Sequence, residues 1–95
     1  MSATFNDLLF KAHPRHPNGI HARLTFPNGY GVSVIRSPYS YGGRQGLYEL
    51  AVLGADGQLT YETPVTDDVL GNLTVEEVTD AMAQVAALPN IETSQ

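Results

Sequence analysis

Ninety-five residues, 42% of them hydrophobic, with five tyrosines, three phenylalanines and no cysteine, suffice for one domain built around one core and exclude disulfides and thiolate chemistry. A formal net charge of −5 argues against sequence-independent binding to nucleic acid, which draws most of its affinity from neutralised phosphates. The charges are also segregated: Lys11, Arg15, Arg23, Arg36 and Arg44 all precede Leu47, whereas every acidic residue except Asp7 follows Tyr48.

In chain order, Phe5, Leu8, Leu9 and Ala12 fall at a spacing that admits a short N-terminal amphipathic helix. His13-Pro14 and His16-Pro17 then force extended chain, because the residue before a proline is driven out of the helical region. Residues 1–19 are therefore the least regular part of a single domain spanning 1–95, and 90–95 reads as a flexible tail. The first residues lack the basic stretch and long apolar run of a signal peptide, and no segment approaches the ~20 apolar residues of a membrane helix. A cytoplasmic protein without membrane contact is expected.

Ile20, Ala22, Leu24 and Phe26 alternate with His21, Arg23 and Thr25 at the period of a half-buried strand, and Pro27-Asn28-Gly29 turns the chain. A two-residue Asn-Gly turn would set Leu24 and Ala22 against Ser33 and Ile35. A three-residue loop with Gly29 in the left-handed conformation sets Phe26, Leu24 and Ala22 opposite Tyr30, Val32 and Val34. The second register places apolar against apolar and is the one expected. After a polar loop from Ser37 to Gly46, a third strand runs from Leu47 to Leu53 with Tyr48, Leu50 and Val52 on one face. Gly54-Ala55-Asp56-Gly57 turns into a short fourth strand, Gln58 to Glu62, ended by Pro64. Residues 65–73 read as a connection with a helical turn at Asp67 to Leu70. Thr74-Val75-Glu76-Glu77 is a capping box opening a helix, whose stripe of Val75, Val78, Ala81, Met82, Val85 and Leu88 covers a sheet face before Pro89 stops it.

The fold class expected is α+β in two layers: a three- to four-stranded antiparallel meander packed against one C-terminal helix. One helix covers one face only, so Leu47, Ala51 and Leu53 on the other face need a cover. A homodimer is the expected one, and the segment Phe5–Ala12 folded across that face is its rival.

For function, His13, His16 and His21 raise a metal site, but two prolines stiffen the segment and no fourth ligand stands nearby in sequence; solvated loop histidines are expected, with no metal and no cofactor. Gly42-Gly43-Arg44-Gln45-Gly46 raises an anion cradle, yet it is neither a P-loop nor a dinucleotide fingerprint. No nucleophile, base and orienting group fall in a recognisable arrangement, so an enzyme is not expected. Tyr39 and Tyr41 have no place on a strand. With Arg36, Arg44 and Arg23 they are the expected partner-binding residues, since tyrosine and arginine suit interfaces. The alternative use of this set is stacking and phosphate contact in a small nucleic-acid-binding module.

The run FPNGYGVSVIRSPYSYGGRQGLYELAVL, followed by DGQLTYETPVTDDVLGNLTVEEV, covers Phe26 to Val78, and its NGYGVSV, GLYELAVL and DDVLG-x-LT elements come in that order. It resembles a family of small uncharacterised proteins from tailed bacteriophages and their prophages. The resemblance implies an origin rather than a mechanism: a small non-enzymatic protein that binds and modulates a host protein in the bacterial cytoplasm. Its acidity is compatible with an anti-CRISPR-like inhibitor that presents carboxylates where phosphates would lie.

Overall fold

The structure, a computed structural model, describes residues 3–38, 40, 42–60 and 69–89, with Arg44 described by its backbone. Strand β2 (Ile20–Thr25) turns at Pro27-Asn28-Gly29 into β3 (Gly31–Arg36). Gly29 has φ 93°, its N–H donates to the Phe26 carbonyl at 3.0 Å, and the Phe26 N–H donates to the Tyr30 carbonyl at 2.7 Å. This is the three-residue loop, and its register follows: Leu24 faces Val32, Ala22 faces Val34, and Arg23 faces Ser33. Side-chain alternation then sorts the pair into an apolar face and a mixed face. Gly31 opposes Thr25 at the closest approach of the two strands, where a Cβ would come within 2.6 Å of the Leu24 carbonyl.

Strand β4 (Tyr48–Leu53) adds antiparallel to β3 in the same sense, pairing Val34 with Leu50 and Val32 with Val52. The turn at Gly54–Gly57 forms as expected, with Gly57 at φ 76°. Of the fourth strand expected over Gln58–Glu62, the described beginning pairs with β4: Leu59 bridges Leu53 and the Thr60 N–H donates to the Val52 carbonyl at 2.9 Å, while Tyr61 and Glu62 lie outside the described residues. The other end of β4 pairs with β5 (Leu70–Leu73), in the stretch expected to be a connection: Leu73 faces Tyr48 and Leu70 faces Leu50. Two steps along β4 thus oppose three along β5, a bulge that Asn72 accommodates at φ 57°. With the two-residue β1 (Lys11–Ala12) on the far side of β2, the sheet has five strands in sequential order. The expected antiparallel meander is present; the expected count of three to four strands is corrected to five, because a bulged strand and a very short one carry no clean period-two pattern.

Helix α1 (Val75–Ala86) packs on the apolar face. Its capping box is formed: the Thr74 hydroxyl accepts from the Glu77 N–H at 3.2 Å, and the Thr74 N–H donates to Glu77 Oε1 at 2.9 Å. Val78, Ala81, Met82 and Val85 are buried against Val32, Val34, Leu50 and Val52. Val75, counted in the stripe from sequence, is exposed, since the first turn overhangs the sheet. At the other end α1 stops at Ala86 with Ala87 as its cap, and Leu88 of the expected stripe packs against the core from just beyond it.

The N-terminal helix is corrected to a 3-10 turn, Phe5–Asp7, closed by its own Thr4/Asp7 capping box and followed by extended chain at Leu8. Phe5 and Phe10 both pack on the Tyr48 ring, at centroid distances of 5.0 and 5.7 Å. In an α-helix these two side chains would lie about 140° apart around the axis, so a turn followed by extended chain is what lets both reach the core. The Phe5 N–H donates to Thr79 Oγ1 at 3.0 Å and fixes the segment beside α1. The segment therefore joins the helix layer and does not cross the opposite face, which disposes of the rival cover considered above. Nor are Ala51 and Leu53 wet on that face, as the sequence reading supposed: they are 8% and 4% exposed within the single chain. No helix among the described residues is long and apolar enough to cross a membrane.

Candidate binding face

Strand register puts His21 and Arg23 of β2, Ser33 and Ile35 of β3, and Glu49 and Ala51 of β4 on the face away from α1. These residues enclose a depression of about 280 Å³. Ser33, Ile35 and Ala51 make its floor. His13, Pro14 and Arg15 from the loop after β1 form one wall, and Leu59 and Val69 form the other. Arg23 Nη1 lies 3.5 Å from the Gly57 carbonyl, so the Gly54–Gly57 turn holds one end of the side chain over this face.

The loop wall is built by close approach. Gly19 is buried because a Cβ there would come within 2.8 Å of the Ser37 Cβ, and Asn18 takes φ 62° to turn the chain back into β2. The His13 N–H donates to the Gly19 carbonyl at 2.9 Å, closing the loop, and His16 Nδ1 lies 3.1 Å from Ser37 Oγ. The His13 and His16 rings stack at 4.1 Å and 6° between planes, while His21 lies 5.2 Å from His13 and tilted by 52°. Desolvation, then the neighbouring His16, His21 and Arg15, hold the His13 pKa below its ordinary value. His13 Nδ1 accepts from the Arg15 N–H at 3.0 Å, which fixes it as the unprotonated nitrogen of the neutral ring. Stacked rings do not aim their nitrogens at a common point, and among the described residues no three His, Cys, Asp or Glu side chains converge where a metal ion would sit.

The residues expected to bind a partner are divided by the sheet. Arg23 lies on the depression just described. Arg36 pairs with Ile20 on the helix side, where its guanidinium stands 5.3 Å from the Tyr48 ring centroid and its Nη1 donates to the Tyr48 hydroxyl at 3.3 Å. Arg36 also borders a separate depression of about 360 Å³ with Asn18, Ser37 and Gly43. The Arg44 backbone belongs to a 3-10 turn, Gly43–Gln45, while its side chain, Tyr39 and Tyr41 lie outside the described residues. The N–H groups of Gly43, Gln45 and Gly46 donate to the carbonyls of Ser40, Gly42 and Gly43. Those three N–H groups of the cradle weighed from sequence are thus already paired within the turn. A Cβ at Gly43 would collide with the Ser37 carbonyl, so glycine there serves close packing.

Folding converts part of the segregation of charge along the chain into segregation in space, Glu49 excepted, which lines the depression with His21 and Arg23. Lys11, Arg15 and Arg23 gather with the three histidines around β1 and β2, whereas Glu76, Glu77 and Asp80 are exposed on α1 across the sheet. Sequence reasoning set the histidines aside as solvated loop residues and did not join them to Arg23. The available signal was that His21 and Arg23 share the polar face of one strand, with three basic or imidazole side chains just upstream. Compared with protein-family models, curated proteins and solved structures, the chain matches none.

Proposed function

We propose that this chain is a small non-catalytic binding protein, and that its principal contact surface is the His/Arg-lined sheet face. The observation that carries the reading is the difference between the two faces of one sheet. Residues in direct register alternate between a core sealed by α1 and a depression bearing His21, Arg23, Ser33 and Glu49, polar side chains that sheet packing does not require. The resemblance of Phe26–Val78 to phage proteins supports a host protein as the partner, met in the bacterial cytoplasm, and inhibition of a host defence complex as the specialised form. In this reading Arg23 belongs to the principal surface, while Arg36, beside its separate depression, and Tyr39, Tyr41 and Arg44, on sequence grounds, make a second contact.

The test is affinity capture from nuclease-treated bacterial lysate with three proteins: wild type, the double variant His21→Glu/Arg23→Glu, and Asp80→Arg on the outer face of the helix. The reading expects wild type and Asp80→Arg to recover the same protein and the double variant to lose it. Equal recovery by all three, or none by any, contradicts it. Loss of every partner on nuclease treatment would transfer the face to nucleic acid, whose binding must then weaken steeply with salt.

A further inference from the structure

We infer that the outer edge of β2, at Arg23 and Thr25, is a strand-addition site that takes an extended acidic segment of a partner protein. The inference rests on the reading of the adjoining face as a protein-binding surface and supplies the mode of attachment.

The ladder shows which backbone groups are open. The Phe26 N–H bonds to Tyr30, so hydrogen-bonded pairs alternate from there: Leu24 with Val32, then Ala22 with Val34. Arg23 and Thr25 consequently turn their N–H and C=O groups away from β3. On that outer side β1 meets only Ile20 and His21. The chain before β1 leaves the sheet plane to bring Phe10 and Phe5 onto Tyr48, and so uncovers the edge at Arg23.

There is room beside this edge. A depression of about 290 Å³ bordered by Leu9, Lys11, Ala22 and Arg23 flanks one end. A larger one of about 670 Å³, bordered by Ala3, Asp7, Thr25 and Phe26, flanks the other. Leu9 is 78% exposed and stands where alternate side chains of an added strand would need an apolar contact. The opposite edge of the sheet is unsuited to the same use, because the bulge at Asn72 breaks the regular spacing of β5.

Charge selects the occupant. Lys11, His21 and Arg23 border the edge, with Asp7 at its far end, and on the adjoining face Arg15 and His13 outnumber Glu49. Pairing β2 with β2 of a second copy would set these groups against their own kind, which opposes self-addition. Carboxylates on an incoming strand would be attracted to them.

The test titrates the full chain, labelled for amide NMR, with an acetylated and amidated peptide alternating valine and glutamate, up to millimolar concentration. The expected result is slowed exchange of the Arg23 and Thr25 amides, with the largest shifts there. Methylating alternate peptide nitrogens should abolish binding, and replacing glutamate by lysine should weaken it by about tenfold or more at low salt. Thr25→Pro, a substitution an outward-facing edge position tolerates, should lose the peptide while still unfolding cooperatively. Should that variant fail to fold, the methylated peptide makes the same test on the native chain. Equal binding of methylated and unmodified peptides, shifts centred on Ser33, Ile35 and Ala51 instead, or no binding at all would overturn the inference. The reading of the face fails separately, if the double variant His21→Glu/Arg23→Glu recovers the lysate partner as well as wild type does.

Discussion

The side-chain amide of Asn28, at the tip of the β2–β3 hairpin, donates to the main-chain carbonyl of Val85 at 2.9 Å across 57 residues of sequence. The same Nδ2 lies 3.3 Å from the Ala86 carbonyl and 3.0 Å from that of Leu88, while Oδ1 accepts the Tyr30 N–H at 3.0 Å. The last carbonyls of a helix lack i+4 donors; the Leu88 N–H reaches that of Val85 at 3.1 Å, and α1 has no basic residue in its last turn to supply more. Asn28 fills that role from the sheet. Because it is 7% exposed, its loss leaves those groups poorly hydrated.

Asn28→Ala should therefore destabilise the fold by about 2–3 kcal/mol, more than an exposed hydrogen bond is worth. Asn28→Asp should cost at least as much, since an aspartate offers no donor and sets negative charge against the negative end of the helix. Urea unfolding checks both, with Thr74→Ala at the exposed N-cap as reference at about 1 kcal/mol. A loss at Asn28 no larger than at Thr74 would show the contact to be dispensable.

Asn28 also shows what the sequence could and could not reveal. Pro27-Asn28-Gly29 is legible as a turn, and the alternation on either side of it fixes the register, because a one-residue slip would bury Arg23. That the turn residue also caps a helix is a long-range relation no local pattern carries. Leu8, Leu9 and Phe10 alternate buried, exposed and half-buried as an extended segment does. Phe5 and Leu8 meanwhile satisfy helical spacing, and a short apolar run fits both periods. β5 lies in the stretch read as a connection, because Gly71-Asn72, a bulge inside the strand, breaks its period-two pattern. The proposed binding face is half legible: Arg23 stands on a polar strand face in any register that buries Leu24, whereas the histidine loop joins it only through the contacts of Gly19 and Ser37.

Gly31→Ala should destabilise by about 1–3 kcal/mol, because the new Cβ meets the Leu24 backbone and the strands must part to admit it. Gly46→Ala makes the contrast: its surroundings are open, and the only penalty is a left-handed φ of 79°. Thermal unfolding should rank Gly31→Ala as the less stable of the two. The reverse order would contradict the close approach at Thr25.

Protonation of His13 should loosen the loop after β1. Its folded pKa lies below the ordinary 6.5, so the unfolded chain takes up the proton first. The stability that neutral His13 contributes is then fully present above pH 6.5 and is lost as the pH falls below that value. Protonated Nδ1 also ceases to accept the Arg15 N–H. His13→Asn, whose carbonyl can accept in place of Nδ1, should show a flatter dependence between pH 7.5 and 5 in denaturant titrations. Equal slopes for the two proteins would remove His13 as the source.

Burial of Ala51 and Leu53 within one chain weakens the ground for expecting a homodimer, and like charge around the open β2 edge opposes pairing two copies there. Sedimentation at micromolar concentration should accordingly give one species near 10.3 kDa. A dimer that Thr25→Pro dissolves would assign the edge to a second copy instead of an acidic partner.

The central claim is that one face of the sheet is the contact surface, and site-specific photo-crosslinking in bacterial cells tests it most directly. A benzophenone side chain is introduced as Ser33→p-benzoylphenylalanine on the floor of the depression, and separately as Gln84→p-benzoylphenylalanine on the exposed side of α1. The account predicts a discrete protein adduct from position 33 that disappears with Arg23→Glu, and no matching adduct from position 84. An adduct from position 84 alone, or one from position 33 unchanged by Arg23→Glu, would contradict it.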